Sequence, residues 1–120
     1  MRIYISGPIT GHDDYMTQFA AAEKELEAVG YTVINPAKEI ANIPGIQEFS
    51  YEQIMTVCIG MLAACDIIYM LRGWQESRGA NREYGFALGK GKIIMWEPAM
   101  QTYRITRNDD PNIDIGQMDI

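Results

Sequence analysis

Arg2-Ile3-Tyr4-Ile5-Ser6-Gly7-Pro8-Ile9-Thr10-Gly11 is an apolar, strand-forming run that ends abruptly in residues permitting tight turns. It reads as a short buried strand whose C-terminal end opens into a loop. Immediately afterwards Phe19, Ala22, Leu26 and Val29 recur at helical spacing, with Glu23, Lys24, Glu25 and Glu27 between them. That spacing predicts an amphipathic helix over about 13–29, capped by Gly30. Tyr31-Thr32-Val33-Ile34 then returns as a second strand, ended by Asn35-Pro36.

The unit repeats along the chain. Residues 37–48 read as a loop with little periodicity. Ile54, Met55, Cys58, Met61 and Leu62 supply a helical face over 51–64, which leads into the strand Asp66-Ile67-Ile68-Tyr69-Met70-Leu71. A helix over about 78–88, stopped at Gly89, precedes the strand Lys92-Ile93-Ile94-Met95-Trp96. Alternating strands and helices with near-continuous apolar strands imply a parallel sheet covered on both faces and joined by right-handed crossovers. The expected fold is a single doubly wound α/β domain, Rossmann-like or flavodoxin-like, over residues 1–100. Residues 101–120 form a C-terminal extension, with Thr102-Tyr103-Arg104-Ile105-Thr106 as an edge strand and an acidic tail beyond it.

At 120 residues and 48% hydrophobic content the chain suits one core. Sixteen acidic against ten basic residues give a net charge of −6, which opposes the phosphate neutralisation that long nucleic acid requires. A small anionic ligand is not excluded, because backbone N–H groups at a helix N-terminus bind phosphate whatever the overall charge. Cys58 and Cys65 make neither a disulfide framework nor a four-ligand zinc site, so a reduced, cytoplasmic protein without a metal is expected. No apolar run approaches the roughly 20 residues needed to span a bilayer, so no membrane partner is expected.

In open parallel sheets ligands bind beyond the carboxyl ends of the strands, where the strand order reverses. The loops over 7–11, 35 onward and 71–77 emerge there. The first is either a structural strand-to-helix turn or a place where the backbone approaches a ligand closely. Ser77 stands where an N-cap belongs, to satisfy the first turn or to grip a phosphate. Glu83 falls beside Ala80 and Ala87 on the apolar stripe of its helix. A buried carboxylate costs several kcal/mol unless paired or hydrogen-bonded, so either Arg72, Arg78 or Arg82 pairs with it or the cost serves function. Tyr4 either points its hydroxyl toward the site or packs in the core. Asp66 opens its strand at the far end and is expected to be a cap or turn residue.

Ile3-Tyr4-Ile5-Ser6-Gly7-Pro8-Ile9-Thr10-Gly11, Cys65-Asp66, and Gly73-Trp74 followed by Ser77-Arg78-Gly79-Ala80 and Glu83 together resemble the nucleoside 2-deoxyribosyltransferase-like superfamily. The resemblance spans roughly residues 1–96 and is most similar to a small branch common in phages and prophages. It implies N-glycosidic bond cleavage or deoxyribosyl transfer on a nucleoside or nucleotide, without a cofactor. It implies Glu83 as the nucleophile that attacks the anomeric carbon, with Tyr4 orienting it. It further implies that Ser6, Gly7, Pro8, Ile9, Gly73, Trp74, Ser77 and Gly79 bind substrate, Ser77 taking a 5′-phosphate.

Relatives usually carry an aspartate where this chain has Cys58, and a thiol does not act as a carboxylate does. The missing carboxyl is then supplied by Asp13, Asp14 or Glu52, or is absent. The alternative to an enzyme is accordingly a nucleotide-binding protein of reduced activity that sequesters or senses its ligand; a third reading is a protein-interaction role on the same scaffold. Tyr51, Met55, Met61, Met95, Trp96 and Met100 supply apolar surface in excess of what a small monomer buries, so a homo-oligomer is expected.

Overall fold

The structure is a computed structural model and describes residues 1–97 together with the strand at 101–103. Its strands are β1 (Arg2–Ser6), β2 (Thr32–Ile34), β3 (Ile67–Met70), β4 (Ile93–Trp96) and β5 (Gln101–Tyr103). They form one sheet in the order β2-β1-β3-β4-β5. The first four strands run parallel and β5 pairs antiparallel with β4. The expected doubly wound α/β sheet is therefore present, with its strand order reversing at β1, so the crevice opens between the carboxyl ends of β1 and β3. The expected edge strand over 102–106 is observed at 101–103, and the acidic tail lies outside the described residues.

Side-chain alternation divides the strands between two cores. Ile3, Ile5, Ile67, Tyr69, Leu71, Ile93 and Met95 pack with Phe19, Ala22 and Leu26 of helix α1 (Tyr15–Ala28). Tyr4, Ile68, Met70, Ile94 and Trp96 face the other way, onto Cys58 and Leu62 of α3 (Tyr51–Ala63) and Ala80, Tyr84 and Ala87 of α4 (Arg78–Gly89). Leu26 and Leu62 are fully buried. Removing either side chain would leave a cavity of the kind that costs about 2–5 kcal/mol.

Several sequence expectations need correction. Residues 37–48 are not a plain loop: Pro36–Ala41 form helix α2, and Ile46–Glu48 a 3-10 turn. Asn35-Pro36 begins this helix as much as it ends β2. Asn35 Oδ1 accepts the Lys38 N–H at 3.2 Å as N-cap, and proline occupies the first helical position, where its missing N–H is not needed. Helix α4 continues through Gly89, and the residue with positive φ that turns the chain into β4 is Gly91, at 69°. Met55, Met95 and Trp96, counted as surplus apolar surface, are buried within this one chain, Trp96 and Met95 in the two cores and Met55 against the cavity.

Asp66 serves as a turn residue, its carboxylate accepting the Arg2 N–H at 3.0 Å across the amino-terminal edge of the sheet. Ser50 opens α3 with a reciprocal capping box, exchanging hydrogen bonds with Gln53. The first ties down β1, which carries Tyr4 and Ser6 toward its other end, and the second starts the helix whose first turns carry Tyr51, Ile54, Met55 and Cys58.

Candidate active site

Tyr4 and Ser6 lie two apart on β1, so both side chains leave the same face of the sheet. That face looks at α4, where Glu83 points inward with only 6% of its surface exposed. The Tyr4 hydroxyl donates to Glu83 Oε2 at 2.6 Å, and the Ser6 hydroxyl donates to Oε1 at 2.6 Å. Both are charge-assisted lengths, and each carboxylate oxygen has its own donor. Tyr4 therefore reaches the site and packs in the core at the same time.

None of the three arginines pairs with the carboxylate. Arg82 forks onto exposed Glu52 at 2.9 and 3.1 Å. Arg78 stacks over the Tyr51 ring at 4.2 Å. At Arg72 it is the backbone N–H that is engaged, donating to the Glu97 carboxylate at 2.8 Å. Burial accordingly pushes the Glu83 carboxyl above the ordinary carboxylate range, and hydrogen bonds from Ser6, Tyr4 and the Cys58 thiol pull it part of the way back. The same burial, with the negative charge of Glu83 beside it, holds the Tyr4 phenol well above its usual range and pushes the Cys58 thiol up to about 11.

A cavity of about 200 Å³ opens in front of Glu83. Phe19, Ile40, Ile54 and Met55 form apolar walls, and Thr10, Tyr51 and Ser77 bring hydroxyls to it. Of the residues expected to bind substrate, Gly7, Ile9, Ser77 and Gly79 line this cavity beside Tyr4 and Glu83. Ser6 stands behind the carboxylate, 1% exposed, and reaches the cavity only through it. Pro8, Gly73 and Trp74 lie outside the lining. Gly73 turns the chain with a φ of 85° at 3.5 Å from Pro8 Cγ as a Cβ would see it, and Trp74 packs on Tyr84 and Trp96 at 4.7 and 5.9 Å between ring centroids.

Ser77 caps α4, its hydroxyl accepting the Ala80 N–H at 3.1 Å. Ser77→Ala should cost about 1 kcal/mol. Ser77→Asp, which keeps a cap, should retain the stability in thermal unfolding. Cys58 lines the cavity, as the resemblance implied for its position, whereas Ile54 and Tyr51 were not expected there; their spacing with Cys58 on one face of α3 was the available signal. Asp13, Asp14 and Glu52, the expected sources of a further carboxyl, do not line the cavity. Among the described residues no cluster of His, Cys, Asp and Glu is placed to hold a metal ion. No helix among them is long and apolar enough to cross a membrane.

Tyr4→Phe would leave the ring in place and remove one donor from a buried carboxylate. The Glu83 carboxyl should then titrate at higher pH, followed through its side-chain 13C resonance. Stability should fall by about 1.5–3 kcal/mol at neutral pH, as for other hydrogen bonds to charged groups. An unchanged titration would mean that the Tyr4 hydroxyl does not hold the charge.

Residues 1–96, from the first strand to the end of β4, match the family described as a domain of unknown function, DUF4406. The chain belongs to DUF4406. Among solved structures this DUF4406 chain is similar to a 2-deoxyribosyltransferase of the psychrotolerant bacterium Bacillus psychrosaccharolyticus, described as a biocatalyst for nucleoside synthesis. The TM-score is 0.64 at 21% identity, over 80% of this chain and 71% of that one. At that identity the likeness establishes the fold that this DUF4406 chain shares. No curated protein matches it.

Proposed function

We propose that this protein cleaves or transfers the glycosidic bond of a small nucleoside or nucleotide, with Glu83 as nucleophile. The observation that carries the reading is a carboxylate 94% withdrawn from solvent, held by two hydroxyls and facing a cavity at the carboxyl ends of the strands. A solely structural glutamate at such a place would ordinarily be paired with a cation, given the several kcal/mol that burying a charge costs. The likeness to a 2-deoxyribosyltransferase supports the same reaction class.

In this mechanism a Glu83 oxygen bonds to the anomeric carbon as the base departs with the electron pair of the C–N bond. The glycosyl ester is then resolved by water or by a second base. Tyr4 and Ser6 hold the carboxylate in one orientation throughout, and the apolar walls keep water from competing with an acceptor. Gly7, Ile9 and Gly79 shape the floor on which the sugar rests; Ser77 and the amides behind it face the 5′ end, with Pro8, Gly73 and Trp74 holding the surrounding loops in place. Incubation of the pure protein with nucleosides and nucleotides, followed by chromatography of free bases, tests the reading. Base release that is lost in Glu83→Gln supports it. Thermal stabilisation by nucleotides without base release describes a binding protein and overturns it.

A further inference from the structure

We propose that the cavity selects N-glycosides whose departing base carries a permanent positive charge, such as a quaternary pyridinium or an N7-alkylated purine. The inference rests on Glu83 as nucleophile and names the substrate class for that site.

Two features of the cavity lead there. The first is uncompensated charge. Glu83 is buried, its hydrogen-bond partners are neutral, and among the described residues no lysine, arginine or histidine lines the cavity. The nearby cations are engaged elsewhere, Arg82 with Glu52 and Arg78 on Tyr51. A carboxylate facing a small apolar cavity with no counter-ion favours a cationic ligand over a neutral one of the same shape. Such a ligand also keeps Glu83 ionised against the desolvation that raises its pKa.

The second feature is the supply of protons. A neutral purine or pyrimidine leaves readily only when a general acid protonates it. Among the described residues Glu83 is the only carboxyl lining the cavity, and it is already committed as nucleophile. The chain's single histidine, His12, is outside the lining. What remains is hydroxyls and the Cys58 thiol, and burial holds both Tyr4 and Cys58 as weaker acids than usual.

A cationic base needs no acid. As Glu83 bonds to the anomeric carbon, the electron pair of the breaking C–N bond neutralises the departing nitrogen, and no proton is consumed. Water then attacks the anomeric carbon, the carboxylate is regenerated, and one proton passes to solvent.

The test compares base release from nicotinamide riboside and 7-methylguanosine with release from guanosine and cytidine, each as acceleration over buffer alone. General acid catalysis is worth at least about a hundredfold, so the cationic glycosides should be accelerated more by about that factor. Equal acceleration of guanosine overturns the substrate class and leaves the nucleophile standing. A second arm needs no turnover: 1-methylnicotinamide, a pyridinium cation without a glycosidic bond, should raise the Tm of the wild type more than nicotinamide does, and Glu83→Gln should lose that difference. Equal stabilisation by the neutral compound overturns the charge selection. Charge-selective binding without base release from any glycoside overturns the nucleophile instead.

Discussion

Glu83→Gln is expected to stop base release and at the same time make the protein more stable. The first effect follows from chemistry: an amide cannot form the glycosyl ester, and loss of a nucleophile should lower kcat by on the order of 10³-fold or more. The second follows from linkage. Burial places the Glu83 carboxyl above its ordinary value of 4.5, so the folded protein holds that proton more tightly than the unfolded chain does. The folded state is then favoured below the ordinary carboxyl range and loses that advantage as pH rises through it toward the folded value. Above the folded value the whole penalty is present.

Glutamine keeps the shape and removes the charge. The variant should gain about 1 kcal/mol at neutral pH, a rise of roughly 3–6 °C in Tm for a domain of this size. The gain should vanish well below pH 4.5, where the wild type is protonated. Calorimetry of both proteins at the two pH values checks this. A glutamine variant less stable than wild type at neutral pH would show that the hydroxyls repay the cost of burial in full, and that no stability is given up at this position for function.

Gly7→Ala is expected to be among the most damaging single substitutions near the site, for a reason separate from the ligand. A Cβ at this position would stand 2.8 Å from both Cβ and Cδ1 of Leu71. The close contact with Cβ leaves no rotamer of Leu71 that relieves it. The two chains are also tied there, since the Leu71 N–H donates to the Ser6 carbonyl at 2.8 Å. Forcing β1 and the end of β3 apart should cost about 1–3 kcal/mol, the usual range for overpacking. It would also move Ser6, one residue away, off the Glu83 carboxylate.

Leu71→Ala alone opens a cavity and should destabilise as well. Combined with Gly7→Ala, the two losses should sum to less than their parts, because alanine removes the Cδ1 and Cγ contacts while the contact with the Leu71 Cβ stays. Strictly additive losses in denaturant unfolding would place the damage elsewhere. Gly7 thus reads as a packing requirement between two strand ends, where its sequence context left open a structural turn or a close approach to a ligand.

The strands and the three longer helices were legible because their apolar periodicities are unambiguous over four or more residues. Helix α2 was not. Its six residues give too little periodicity, and Asn35-Pro36 signals a strand's end and a helix's start with equal force. The inward position of Glu83 was also readable, from its place beside Ala80 and Ala87. Its partners were not. Charge complementarity directs attention to the arginines on its own segment, yet Arg82 turns outward to Glu52, and the partners are two hydroxyls from the opposite end of the chain. The signal that finds them is the two-residue period of β1: whatever Tyr4 faces, Ser6 faces also. Met95 and Trp96, read as spare surface, illustrate the reverse difficulty. Continuous apolar runs in a central strand are buried on both faces, and only the sheet order places β4 inside.

The bonds from Tyr4 and Ser6 to Glu83 join residues separated by 79 and 77 positions. During synthesis β1 is made first, but its two hydroxyls have no carboxylate to meet until nearly the whole fold has left the ribosome. A nascent chain that stops short of α4 carries a central strand with its polar ends unanswered, and it has no cavity. The buried carboxylate and its two hydroxyl donors are therefore brought together late, only once both β1 and α4 have been made. Any activity the protein has reports, by the same token, that β1 and α4 have found each other.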